Sequence, residues 1–190
     1  MKFIIGLIFL LLFIPILKTY SQNDSLIISE IMFYPSAPNS EFVEIFNLSY
    51  RNSIDLSKYQ IIYSTANADT ILITGDGTNL LPRSFAVVFE GDYDLTNGIY
   101  AEMVPSNSIK LQIEDNYFGS SGMANTSDRI VLLVNSIGDT VDAYFYSANN
   151  NSGYSDEKII LNKDSSSISW ANSLIINGTP GIENSASSKE

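Results

Sequence analysis

Carboxylates are the only side chains in this sequence that could run acid–base chemistry. The 190-residue chain contains no His and no Cys. A thiolate nucleophile, a Cys/His zinc site, a Cys-ligated cluster, a histidine-based triad and a disulfide framework are therefore all excluded. Asp and Glu number 21 against 10 Lys and Arg, for a net charge of −11. That balance argues against a nucleic-acid partner, which would demand clustered cations. Only 16% of residues are charged and 45% are hydrophobic, so the chain is not a disordered acidic segment.

Among the acids, Glu41 and Glu44 stand three apart in the run EFVEIFN at 41–47. On a strand they point to opposite faces and cannot form a dyad with each other. Glu30 and Glu44 could meet across adjacent strands, as a hydrolase pair or as hydrogen-bonded structural acids. The run GDYDLTNG at 91–98 puts oxygen ligands at alternate positions. Asp92 and Asp94 are thus the candidate metal ligands, for Ca²⁺. An EF-hand would need Gly at Asn97 and Glu at Met103, so the alternative is an acidic Asx-rich turn, with Asp76 a lesser candidate nearby. The GSSG run at 119–122 is no nucleophile elbow, because no His exists to serve as base. Tyr144, Tyr146 and Tyr154 read either as an exposed ligand-stacking surface or as sheet-rim tyrosines. No catalytic residue is assigned, and Ca²⁺ is the one candidate cofactor.

These groups must be positioned by strands. Alternating or apolar runs at 25–32, 41–47, 56–63, 70–74, 85–89, 109–113, 129–134, 140–146 and 158–161 are separated by Gly, Pro and Asn turns. No window after residue 22 has helical periodicity. The pattern predicts an all-β fold, an antiparallel sandwich or barrel. Glu44 between Phe42 and Phe46 predicts that one face of its strand is only half buried. Asp55 should accept hydrogen bonds from loop amides, Gly138 should permit a hairpin turn, and Thr179-Pro180-Gly181 should pin the chain as it leaves the sheet.

Ahead of the strands, Lys2, the apolar run at 3–17 and the small residues Thr19 and Ser21 have the layout of a secretory signal peptide at 1–21, followed by a domain at 22–184 and a disordered tail at 185–190. The competing reading is an uncleaved anchor, the one route to membrane attachment. Removing 21 residues takes Lys2 and Lys18 and no acid, moving the net charge from −11 to −13. Export without cysteine favours a bacterial secreted or periplasmic protein.

Six blocks, in order, carry a family resemblance: ISEIMFYP at 28–35, EFVEIFN at 41–47, IDLSKYQI at 54–61, LPRSFAVV at 81–88, NTSDRIVLLV at 125–134 running into GDTVD at 138–142, and SWA at 169–171 followed by GTPGIEN at 178–184. Together they resemble the lamin tail domain family in its bacterial secreted form. The family prefers Gly-Trp where this chain has Lys58-Tyr59. The resemblance implies an immunoglobulin-like β-sandwich that is not an enzyme: a non-enzymatic protein-binding or assembly module at the cell surface or beyond it. The alternatives are a Ca²⁺-assisted glycan-binding module and an accessory domain of an extracellular hydrolase system. The signal layout and the lack of coiled-coil heptads set the chain apart from a nuclear filament protein. The sequence identifies neither the partner, the binding surface nor the oligomeric state.

Overall fold

The computed structural model describes residues 25–188, so the targeting segment read at 1–21 lies outside the described residues. Twelve strands follow in order: β1 Leu26–Met32, β2 Phe42–Asn47, β3 Ile54–Asp55, β4 Gln60–Tyr63, β5 Ala68–Leu72, β6 Asn79–Leu80, β7 Phe85–Phe89, β8 Ile109–Ile113, β9 Arg129–Val134, β10 Thr140–Tyr146, β11 Asp156–Lys158 and β12 Trp170–Asn172. No α-helix occurs among the described residues; Ser167–Ser169 forms one 3₁₀ turn. Ten strands join in one sheet, in the order β10-β9-β4-β5-β8-β7-β2-β1-β11-β12, and β3 pairs with β6 apart from it.

The sheet curls until its two halves face each other. Ile28 N–H on β1 donates to Asp142 Oδ2 on β10 at 2.8 Å across the seam. Between the halves lies the main core, drawn from alternate positions: Val43 and Ile45, Ala86 and Val88, Leu111 and Ile113 on one side, Ile61, Val131 and Leu133 on the other. Period-two burial of this kind is what lets two sheet faces exclude water without crosslinks.

All pairings are antiparallel except β7–β8, which is parallel. Parallel neighbours need a long crossover, and residues 90–108 supply it. This crossover lies over the outer face of the sheet. There Tyr93, Tyr100 and Val104 pack on Met32, Phe42, Val87 and Phe89 as a second core. The C-terminal segment, residues 178–186, covers the rest of that face. Consequently β2 is buried on both sides, with Phe42 and Glu44 at 0% exposure and Phe46 at 2%. This corrects the half-buried face expected for Glu44: an alternation rule cannot foresee chain that returns to cover the second face.

Three further differences have local causes. The last expected strand, at 158–161, is instead Asp156–Lys158 and is interior, because β12 pairs with its free side. Residues 185–188, expected within a frayed tail, are docked: Ser185 Oγ and Ala186 N–H donate to Glu157, and Ser188 N–H to the Ile159 carbonyl. Finally, Lys58 adopts φ 68°, a left-handed conformation that favours glycine.

Candidate functional site

A β-bulge creates the main cluster of acids. Ile28 faces Ile45 and Glu30 faces Glu44, with the register slipping between them so that Ser29 is the extra residue. Strict alternation would send Glu30 inward beside Ile28; the bulge reverses the phase, turning Ile31 to the core and Glu30 to the outer face. There Glu30 sits between Glu44 on β2 and Glu157 on β11, its partners in the ladder. All three are 0% exposed.

The C-terminal segment closes over this row as a strap. Thr179 N–H donates to Glu30 Oε1 at 3.0 Å, Gly181 N–H to Glu44 Oε2 at 2.6 Å and Ala186 N–H to Glu157 Oε2 at 2.7 Å. Hydroxyls complete the shell: Ser155 on Glu30 at 2.5 Å, Ser29 on Glu44 at 2.6 Å and Ser185 on Glu157 at 2.8 Å. Burial, reinforced by the neighbouring Glu157 charge, pushes Glu30 up to about 8 against the hydrogen bonds that oppose it. Burial and the Glu30 charge hold Glu44 well above the usual carboxylate range. The Thr179 hydroxyl oxygen lies 2.9 Å from Glu157 Oε1 and 3.2 Å from Glu30 Oε2, so its one proton faces two acids. Sealed in this way, the row clamps the strap to the sheet.

A second pair lies at the loop end of the sandwich. Both Glu41 oxygens accept from Met123 N–H, at 2.9 and 2.8 Å, and Glu90 Oε1 accepts from Glu41 N–H at 3.0 Å. Burial pushes Glu41 up to about 8 and Glu90 up to about 7, the Glu90 charge adding to the first and the Asp92 charge to the second. These acids border a concavity of about 290 Å³ that is also lined by Pro38, Tyr117 and Gly122. Glu41 and Glu44 diverge, as their spacing required: Glu44 meets Glu30 on β1, and Glu41 meets Glu90 just beyond the end of β7.

The remaining candidates are placed as follows. Asp94 accepts from Thr96 and Asn97 N–H through Oδ1 and from the Asn97 side chain through Oδ2, and these bonds, the Asn97 side chain first, lower its pKa. Both oxygens are thus engaged within its own turn. Asp92 lies beside Tyr117 and raises the pKa of that phenol. Asp76 Oδ2 accepts from Lys110 N–H. No group of three or more acids that could hold a metal ion occurs among the described residues. Asp55 accepts from Ser57 N–H and from the Ser57 and Thr78 hydroxyls, as expected. Tyr144 and Tyr146 are not an exposed surface, being 5% and 0% exposed. They face inward from β10, Tyr144 stacked on Trp170 at 3.6 Å and Tyr146 on Phe33 at 4.4 Å.

Two surface features carry no signature that spacing reveals. Residues 173–178 form a tied loop: Ser173 Oγ donates to the Ile175 carbonyl, Leu174 N–H to Ser185 Oγ and Asn177 N–H to the Gly153 carbonyl. The loop presents Leu174, Ile175 and Ile176 at 76%, 51% and 55% exposure. On another side, a groove of about 530 Å³ runs between the β2–β3 turn and residues 159–161, floored by Phe46 and Phe85.

The architecture defines the class first: a curled all-β sandwich whose most deeply buried acids serve its own backbone. The lamin tail domain family model matches residues 19–148. The chain belongs to the lamin tail domain family, whose fold is an immunoglobulin-like β-sandwich. No curated protein matches the chain. The match ends before β11, β12 and the strap, which complete the same sheet and bury its acids.

Proposed function

We propose that the protein is a non-enzymatic module that binds a protein partner at the cell surface or outside the cell. One observation carries the reading: the 173–178 loop is tied at three points yet holds three consecutive large aliphatic side chains in solvent. A frayed loop would expose such residues incidentally; an ordered one keeps them exposed at a cost in solvation. Burying them against another protein recovers that cost with little ordering entropy left to lose. The signal-like layout of residues 1–21 supports the extracellular location. Family membership supports a module without catalysis.

The test is affinity capture from an extract of the organism's own envelope. The wild-type chain retains a protein that the Ile175→Asp/Ile176→Asp variant does not, at unchanged melting temperature, and the purified pair reconstitutes a complex. Absence of any retained protein overturns the reading. Turnover of a polysaccharide or peptide substrate that Glu41→Gln abolishes also overturns it, in favour of carboxylate hydrolysis at the Glu41–Glu90 pair.

A further inference from the structure

Arg83 stands out among the cations of this acidic chain. Lys158 Nζ and Lys163 Nζ donate to backbone carbonyls and Arg129 to the Asp128 carbonyl. The Arg83 guanidinium instead lies over two aromatic rings, 4.6 Å from the Phe46 centroid and 4.9 Å from that of Tyr50. Among the described residues no carboxylate or carbonyl takes its N–H groups. Its backbone is fixed from below: Arg83 holds φ 56° and donates its N–H to the Asn47 carbonyl at 3.0 Å. The buried Asn47 amide in turn grips the carbonyls of Asn52, Leu80 and Leu81. The turn is therefore held by the backbone and the fork by the two rings, with no carboxylate on its donors among the described residues.

Arg83 lines the 530 Å³ groove. Partly buried Ile159 and Leu161 supply an aliphatic wall, and exposed Glu183 lies on the strap side. We propose that this groove binds an extended peptide segment of a partner protein, with a carboxylate side chain of the peptide seated on Arg83 and an adjacent apolar side chain against Phe46 and the Ile159–Leu161 wall. Charge complementarity chooses the anion: a guanidinium with no carboxylate partner among the described residues is a local positive point on a protein of net charge −11, and its planar fork matches a carboxylate. Glu183, which lines the same groove, disfavours a second acid in the segment. Ile159 and Leu161 suit an apolar peptide side chain, and the Ser187 and Ser188 hydroxyls that also line the groove suit the amides of its backbone. Arginine beside exposed tyrosine is also the composition of binding hot spots. This proposal rests on the protein-binding reading above and gives it a second contact.

The full chain is panned against displayed random linear peptides, and an enriched peptide is synthesised for titration. The expected consensus is one acid next to an aliphatic or aromatic residue. Arg83→Gln should weaken the peptide about tenfold, and Arg83→Lys less, because it keeps the charge but loses the fork. Tyr50→Ala serves as a second variant, since the Tyr50 ring is 81% exposed and its loss leaves the core intact. Enrichment of peptides without acids, or equal affinity for wild type and Arg83→Gln, overturns the proposal. Binding of tetragalacturonate that depends on Arg83, without peptide binding, reassigns the groove to glycan. Self-association that depends on Arg83 reassigns it to a second copy. If envelope capture is lost in the Ile175/Ile176 variant and unchanged in Arg83→Gln, the binding reading stands and the peptide groove falls; if neither variant changes capture, both fall.

Discussion

The Glu30–Glu44–Glu157 row and the Glu41–Glu90 pair confront one difficulty in two ways. Both bury carboxyls among like charges, and in both burial raises the pKa. The row answers with a long-range strap: three backbone N–H groups from residues 179–186 and four hydroxyls leave no acid in contact with solvent. The pair answers with one nearby loop, through Met123 N–H, and keeps an opening to a shallow concavity. An acid pair with raised pKa is a common sign of catalysis. Here the more strongly buried set is sealed by its own chain, so the same sign reports a structural joint. Access, not pKa, separates the two.

The largest effect that tests this contrast is pH. A carboxyl whose folded pKa lies above its unfolded value stabilises the fold fully below about 4.5 and loses that contribution as pH rises through the folded value. For Glu30 and Glu41 the window runs from about 4.5 to about 8, and for Glu90 to about 7. Unfolding free energy should fall by several kcal/mol across it, since for each acid every pH unit separating the unfolded and folded values contributes about 1.4 kcal/mol. Urea titrations between pH 4.5 and 8.5 measure this. Glu30→Gln should flatten the profile more than Glu90→Gln; an unchanged profile in both would mean that the acids titrate normally.

Two glycines separate the regions next. A Cβ on Gly178, at φ +68°, would collide with Glu30 Oε1 and come within 2.7 Å of Ser155 Oγ. Gly178→Ala should cost about 3 kcal/mol and expose the strap to protease. A Cβ on Gly122, at φ +89°, meets Glu41 Oε1 at 2.9 Å beside an open concavity. Gly122→Ala should cost about 1–2 kcal/mol and leave the strap protected. Equal protease sensitivity in the two variants would erase the distinction.

Truncating the acids should follow the same order with smaller values. Glu44→Ala orphans the buried Gly181 N–H and Ser29 hydroxyl and should cost about 2–3 kcal/mol, against about 1–2 for Glu41→Ala, where water can reach the site. Thermal melts compare the two directly. The smallest change lies outside both regions and acts as a control: Lys58→Gly relieves φ 68° and should stabilise by about 1 kcal/mol without altering the pH profile.

Alternation and turn residues made the strands legible. The Phe85–Phe89, Ile109–Ile113, Arg129–Val134 and Thr140–Tyr146 strands match their expected bounds, because each has apolar residues on a single parity or a plain apolar run between clear turns. Asp55 was readable from local chemistry alone; in Thr179-Pro180-Gly181 the turn was readable, through Gly181 at φ 85°, but not the strap whose amides reach Glu30 and Glu44. The acid row was only half legible. Glu30 opposite Glu44 was conceivable from strand order, but its outward turn depends on one extra residue, Ser29, and its burial on chain about 150 residues away. The Glu41–Glu90 contact and the inward-facing Tyr144 and Tyr146 likewise depend on how the sheet curls, and residue spacing along one strand carries no information about curl. The Arg83 fork rests on a buried Asn47 that closes the EFVEIFN block, whose reach to Asn52 and Leu81 only the assembled turns disclose.

The pairing of β1 with β11 also sets a timetable. The first strand meets a neighbour encoded about 125 residues later, and its glutamate meets amides later still. During synthesis the N-terminal half can zip β1 to β2 and β2 to β7, yet Glu30 must stay hydrated until nearly the whole chain has emerged. Such distant closure makes for slow folding.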